Sequence, residues 1–155
     1  MKYIYLSSLM IAFSTVFFMG CENAEYKAQT NSLYITDAAD IATAATITMD
    51  DGADINVVVR LAQKVTEDVE VEIQFVPELL TEYNTISGTE YEVLPANMLP
   101  QNATVTIPAG EISANYRLHV NDFATNGITY AIPLALGNVI KGDVTKSKAQ
   151  SKFIY

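Results

Sequence analysis

Tryptophan is absent from this sequence, and cysteine and histidine each occur once. A single cysteine rules out an intrachain disulfide and any zinc site built on several thiolates. One thiol and one imidazole leave few of the usual nucleophiles, bases and metal ligands. Basic residues are scarce as well: 9 Lys and Arg stand against 18 Asp and Glu, for a formal net charge of −9. Phosphate contacts need Lys and Arg, so nucleic acid is not an expected partner. No cofactor is expected. Half of the 155 residues are hydrophobic and 17% are charged, which excludes a disordered, highly charged tail. The length is that of one domain.

What is present begins with an address. Lys2 is the only charge before Glu22, and Tyr3 to Gly20 is an uncharged, largely apolar run of helix length. A short positive start, an apolar run and a small residue make a secretory signal. The small residue is Gly20, and Cys21, the only cysteine, follows it directly. Phe18-Met19-Gly20-Cys21 resembles a bacterial lipobox, with Phe18 where Leu is usual, as in the relaxed lipoboxes of Bacteroidota lipoproteins. Residues 1–20 are thus expected to be a lipoprotein signal peptide and Cys21 the lipidation site. An uncleaved transmembrane anchor is the alternative, because a run of this length just spans a bilayer. The position of Cys21 favours the lipid, and several acyl chains together anchor stably. Residues 21–32 are polar and without periodicity, and are expected to be a flexible tether. The expected place is the outer membrane, lipid-anchored and exposed at the cell surface.

From residue 33 to residue 155 the dominant signal is alternation, the mark of half-buried strands. Val69, Val71, Ile73 and Phe75 point one way and Glu70, Glu72 and Gln74 the other. Ile55 to Leu61 is rich in β-branched residues, and Ala45 to Met49 alternates. Thr104 to Ile107 alternates, and so does Tyr116 to Val120, with Arg117 and His119 outward. Ile128, Tyr130, Ile132, Leu134 and Leu136 form one inward row, which predicts Pro133 on the outward face of an edge or bulged strand. Lys152 to Tyr155 makes a last short strand. Asp50-Asp51-Gly52 and Pro108-Ala109-Gly110 are turn signals. Pro77 to Asn84 holds a helical turn or two, with Pro at the first position. Seven to eight short strands with regular turns predict an all-β, antiparallel β-sandwich.

One block is distinctive: Tyr83-Asn84, Gly88-Thr89-Glu90-Tyr91, Leu94-Pro95, Val105-Thr106-Ile107-Pro108-Ala109-Gly110 and Tyr130-Ala131-Ile132-Pro133-Leu134. In this order it resembles the Bacteroidota surface-lipoprotein N-terminal domain of unknown function found at the start of glycan-utilisation proteins. That resemblance covers nearly all of residues 33–155. It implies an immunoglobulin-like or Calx-beta-like sandwich, a glycan-related role and no catalytic residues. Members often continue into a glycosidase, lectin-like or discoidin-like domain. The sequence here ends at Tyr155, and the expectation is a stand-alone module or a shortened gene.

The candidate sites follow from residue chemistry. Tyr83 and Asn84 lie after Phe75-Val76-Pro77, where exposed binding residues concentrate, and are the candidate ligand contacts, because sugars stack on aromatic faces. The remaining tyrosines fall mostly at inward strand positions and read as core, Tyr91 and Tyr130 as corner tyrosines. Asp50, Asp51 and Asp54 could ligate calcium, but calcium takes about six to eight oxygens and a hairpin turn explains Asp-Gly equally well. His119 lacks a nucleophile motif beside it and reads as a surface residue. Glu78, Glu82, Glu90 and Glu92 could supply the two carboxylates of a glycosidase, ~5–10 Å apart, yet nothing singles out a pair. The expected function is a non-catalytic, lipid-anchored binding or spacer module for complex-glycan capture. Its partners are the membrane through Cys21, and an extracellular glycan or a surface protein complex. The alternative is an adhesive subunit that exchanges its last strand, Lys152 to Tyr155, with a neighbour; a small hydrolase ranks last.

Overall fold

The computed structural model describes residues 31–38, 44–45, 52–100 and 103–155. The expected signal peptide, Cys21, Asp50, Asp51 and most of the expected strand Ala45 to Met49 lie outside them. Among the described residues the elements run β1 (Ser32–Ile35), β2 (Ala53–Leu61), β3 (Val69–Phe75), α1 (Pro77–Ser87), β4 (Glu92–Val93), β5 (Ala103–Ile107), β6 (Ser113–Val120), β7 (Tyr130–Ala131), β8 (Pro133–Lys141), β9 (Thr145–Lys146) and β10 (Lys152–Ile154). Ala96–Met98 adds a single 3-10 turn. No described helix is long and apolar enough to cross a membrane.

Two four-stranded sheets face each other, ordered β6-β2-β1-β9 and β10-β8-β3-β5. The chain crosses between these sheets from β2 to β3, β5 to β6, β6 to β8, β8 to β9 and β9 to β10, and β1, β2 and β6 facing β3, β8 and β10 make the immunoglobulin-like arrangement of A-B-E strands against C-F-G strands. Alternation puts Ile55, Val57, Val59 and Leu61 of β2 inside and Asp54 and Asn56 outside. The second sheet answers with Val69, Val71 and Ile73, Val105 and Ile107, and Leu134 and Leu136. These faces form one continuous core, and each fully buried aliphatic side chain contributes about 1.5–3 kcal/mol.

Outside the core, polar side chains fasten the strands. Asp54 faces His119 across the β2–β6 ladder, and Asn56 faces Arg117. His119 Nδ1 lies 2.8 Å from Asp54 Oδ1, on an exposed face. Pro108 to Glu111 is a type II turn: Glu111 N–H donates to the Pro108 carbonyl at 3.0 Å, and Gly110 supplies a φ of +83°. Asp68 locks this turn, accepting from Ala109 N–H at 3.0 Å and from Lys141 Nζ at 3.3 Å. Those bonds hold its carboxyl below the ordinary value, the Ala109 bond foremost.

Pro133 departs from the expectation of an outward, wet position. It is among the most deeply buried residues, and β8 is a central strand, not an edge. The reason is α1, longer than the turn or two expected, which packs across the outer side of β8. Pro133 opens the strand, where a missing N–H is tolerated, and its carbonyl accepts from Val76 N–H at 2.8 Å. The bulge half of the expectation holds: the β3–β8 register shifts on both sides of Val71. Glu72 caps the irregularity, its Oε2 accepting from both the backbone N–H and the side-chain amide of Asn138 at 3.1 Å. The inward row from Ile128 to Leu136 is likewise interrupted. Ile128 is exposed, Tyr130 and Ala131 form the separate β7, and β7 pairs in parallel with β4. The last strand, β10, pairs with β8 of its own chain and buries Phe153 and Ile154.

Two measurements check this picture. Leu134→Ala is expected to lower unfolding free energy by about 3 kcal/mol, whereas Ile86→Ala, at an exposed helix position, changes it by less than ~0.5 kcal/mol; urea titration separates them. For Asp68 the folded carboxyl binds its proton less readily than the unfolded one. Its stabilisation is therefore full above the unfolded carboxylate range and lost as pH falls through the lower folded value. Between neutral pH and pH ~2, Asp68→Asn should show a smaller drop in Tm than the parent.

Candidate functional site

The candidate site is a cleft at one end of the sandwich, where β2 begins and β6 finishes. Its volume is about 580 Å³, within the range of small-ligand sites. Three regions bring aromatic rings to it: Tyr83 from α1 and Tyr91 just before β4, Phe123 and Tyr130 flanking the loop between β6 and β7, and Tyr155 after β10. All five rings are half-buried. Tyr83 and Tyr91 lie nearly parallel, with centroids 6.2 Å apart and 22° between their planes. Phe123 meets Tyr130 edge to face at 5.2 Å. Tyr155 meets Phe153 in the same way at 4.7 Å. Aliphatic side chains such as Ile55, Leu94 and Ile132 line the cleft as well, and Thr125 and Thr129 add hydroxyls.

Local sequence explains how the rings are held. Pro77 starts α1 at its first position, and Gly88 ends it in the left-handed conformation, with φ +66°. Leu80, the buried residue of α1, packs on Ala131 and Ile154, with Tyr83, Tyr91 and Val93 against the same small cluster. Tyr155 is fixed by paired backbone bonds with Ile132, at 2.7 and 3.2 Å. Its hydroxyl donates to Asp37 in a short hydrogen bond. Burial, then the Asp37 carboxylate, pushes that hydroxyl well above the ordinary tyrosine range.

Of the two expected ligand contacts, the structure puts Tyr83 in the cleft and gives Asn84 a different task. The Asn84 amide donates to the Tyr91 carbonyl at 2.8 Å. Its Oδ1 accepts from Thr89 Oγ1 at 2.8 Å and from Tyr91 N–H at 3.3 Å. Its backbone carbonyl accepts from the N–H groups of Gly88 and Thr89. Asn84 thus clamps the end of α1 to the segment carrying Tyr91. Tyr91 and Tyr130, expected as corner tyrosines, are half-buried cleft rings, Tyr130 also packing against the core, and Tyr155 and Phe123 join them. Among the described residues, neither Tyr91 nor Tyr130 makes the hydroxyl bond of a corner tyrosine. The signal in sequence is their position at strand ends, where alternation stops reporting burial.

The other candidates among the described residues are not brought together. Asp54 is bonded to His119 on the outer face of β2, and the described residues hold no cluster of His, Cys, Asp and Glu suited to a metal. Glu78, Glu82, Glu90 and Glu92 are all exposed, and none lines the cleft. A second hollow of about 760 Å³, between the end of β3 and the segment from Val93 to Pro100, is walled mainly by prolines and aliphatic side chains and has Phe75 as its one ring.

Residues 26–142 match the model of a family described as a “-like, N-terminal domain”. The chain belongs to this N-terminal-domain family. No curated protein matches it. Among solved structures it is similar to a candidate carbohydrate-binding protein from Bacteroides ovatus, with a TM-score of 0.59 and 19% identity over 79% of this chain and 36% of that one. A two-domain protein of unknown function from Bacteroides fragilis gives a TM-score of 0.62 and 14% identity, covering 81% and 44%. EndoBT-3987 from Bacteroides thetaiotamicron, solved with a Man5GlcNAc product, gives 0.53 and 16%, covering 79% and 30%. At these identities the likeness is one of fold. The chain spans less than half the length of each of these structures.

The clamp has a measurable consequence. Asn84→Ala leaves the partly buried Tyr91 N–H and carbonyl without their partner, and is expected to lower stability by about 1–3 kcal/mol. Asn84→Asp keeps the acceptor and loses the donor, so its unfolding midpoint in urea should fall between parent and Ala variant.

Proposed function

We propose that this protein is a non-catalytic, lipid-anchored module of the cell surface that binds complex glycans in the aromatic cleft. The observation that carries the reading is the convergence of five half-buried rings around one hollow at the end of the sandwich. Sugar rings present C–H groups on their flatter faces, and an aromatic face is electron-rich, so the two stack. The threonine and tyrosine hydroxyls of the cleft both donate and accept, as sugar hydroxyls do. Membership of an N-terminal-domain family and the fold shared with a candidate carbohydrate-binding protein support the same reading. So does the position of the lone Cys21 behind an apolar leader, which on this proposal carries the lipid at the outer membrane.

Two experiments test the two halves. On an array of host and plant polysaccharides the full chain should bind at least one class, and Tyr83→Ala should weaken that binding about tenfold; silence across the array refutes glycan capture. In cells fed a palmitate analogue, the parent should be labelled and Cys21→Ala should not; equal labelling refutes the anchor.

A further inference from the structure

We propose that the cleft selects uncharged glycans and rejects acidic ones such as sulfated or uronic-acid polymers; this rests on the glycan reading above. Among the described residues, no side chain lining the cleft carries a charge. Its polar side chains are hydroxyls only: Thr125, Thr129 and the four tyrosines. A sulfate or carboxylate taken out of water needs a cation or several converging N–H donors, and the described cleft walls hold no Lys, Arg or His side chain. Neutral sugar hydroxyls need none.

The surroundings act in the same direction. Asp37 accepts from the hydroxyl of the cleft residue Tyr155. Glu90 and Glu92 flank Tyr91 in sequence and Asp122 precedes Phe123, and all three are exposed. The basic side chains of β6 point elsewhere. Arg117 and His119 lie on the outer face of their sheet, bonded to Asn56 and Asp54. Lys152 is exposed two residues before the cleft residue Ile154 and is not part of the lining. The whole chain has a net charge of −9, so an anionic polymer is repelled as it approaches. Salt screens that long-range repulsion. It does not relieve the cost of bringing an anion into an uncharged cleft.

The test uses matched polymers that differ in charge. The full chain, in mild non-ionic detergent, is run by native affinity electrophoresis in gels containing dextran, yeast mannan or xylan. Parallel gels contain dextran sulfate, chondroitin sulfate or polygalacturonate, each at low and at 0.5 M salt. The expected result is retardation by at least one neutral polymer, weakened about tenfold in Tyr83→Ala and in Tyr91→Ala, and none by the acidic polymers at either salt concentration. Thr129→Lys, a change at the cleft wall, should add binding of dextran sulfate. Circular dichroism and Tm of each variant verify folding, and Tyr83→Phe, which keeps the ring, should retain binding. Tyr83-dependent retardation by an acidic polymer equal to or stronger than by neutral ones overturns the selectivity and leaves glycan binding standing. Retardation unaffected by every tyrosine variant overturns the cleft as the site. Retardation by no polymer overturns both readings.

Discussion

Burial of one face of each four-stranded sheet against the other is the constraint on which the rest depends. Val57 and Val59 of β2 and Val71 and Leu134 of the opposite sheet are wholly enclosed, and among the described residues the core runs through them without a buried charged or polar side chain. With that interior fixed, strand register is fixed too, because a slip of one residue would turn each apolar row to water. Register in turn places the exposed pairs, Asp54 with His119 and Asn56 with Arg117. It also fixes where each strand stops, and the cleft is the space left where β2 starts, β6 ends and β7 separates from β8.

Much of this was legible in the sequence because strands with one wet face advertise themselves by period. β3, β5 and β6 fall where alternation puts them, and β2 where β-branched residues cluster. Pro77 and Pro108-Ala109-Gly110 marked a helix start and a turn through fixed φ and a left-handed glycine. Period failed where both faces are covered. From Pro133 to Gly137 every residue is buried, since α1 and the Gln74 side chain shield the second face of β8. A proline read as outward on a single strand cannot report that a helix distant in the pairing pattern will lie over it.

The site was less legible than the fold, and for a related reason. Tyr130 sits in a row with inward neighbours, so alternation assigns it to the core, and Tyr91 at a strand end reads as a corner tyrosine. What exposes them is non-local: β7 leaves the main sheet to pair in parallel with β4, and Tyr155 lies just past the last strand. Asn84, expected as a ligand contact, has its amide bonded to backbone inside the protein. An asparagine near a helix end offers a donor and an acceptor to any nearby backbone, and here the Tyr91 segment uses both.

That clamp bears on how the cleft would hold a guest. Tyr83 rides on the helix that Asn84 closes, and Tyr91 hangs from the same amide, so the near-parallel pair of rings is set by covalent and hydrogen-bonded geometry before anything arrives. A jaw whose teeth are already aligned forfeits little rotational freedom on closing around a ligand, and a larger share of each stacking contact survives as affinity. On the proposed glycan reading, grip of this kind would rest on the rigidity of a side chain that is bonded to backbone and stands outside the described lining.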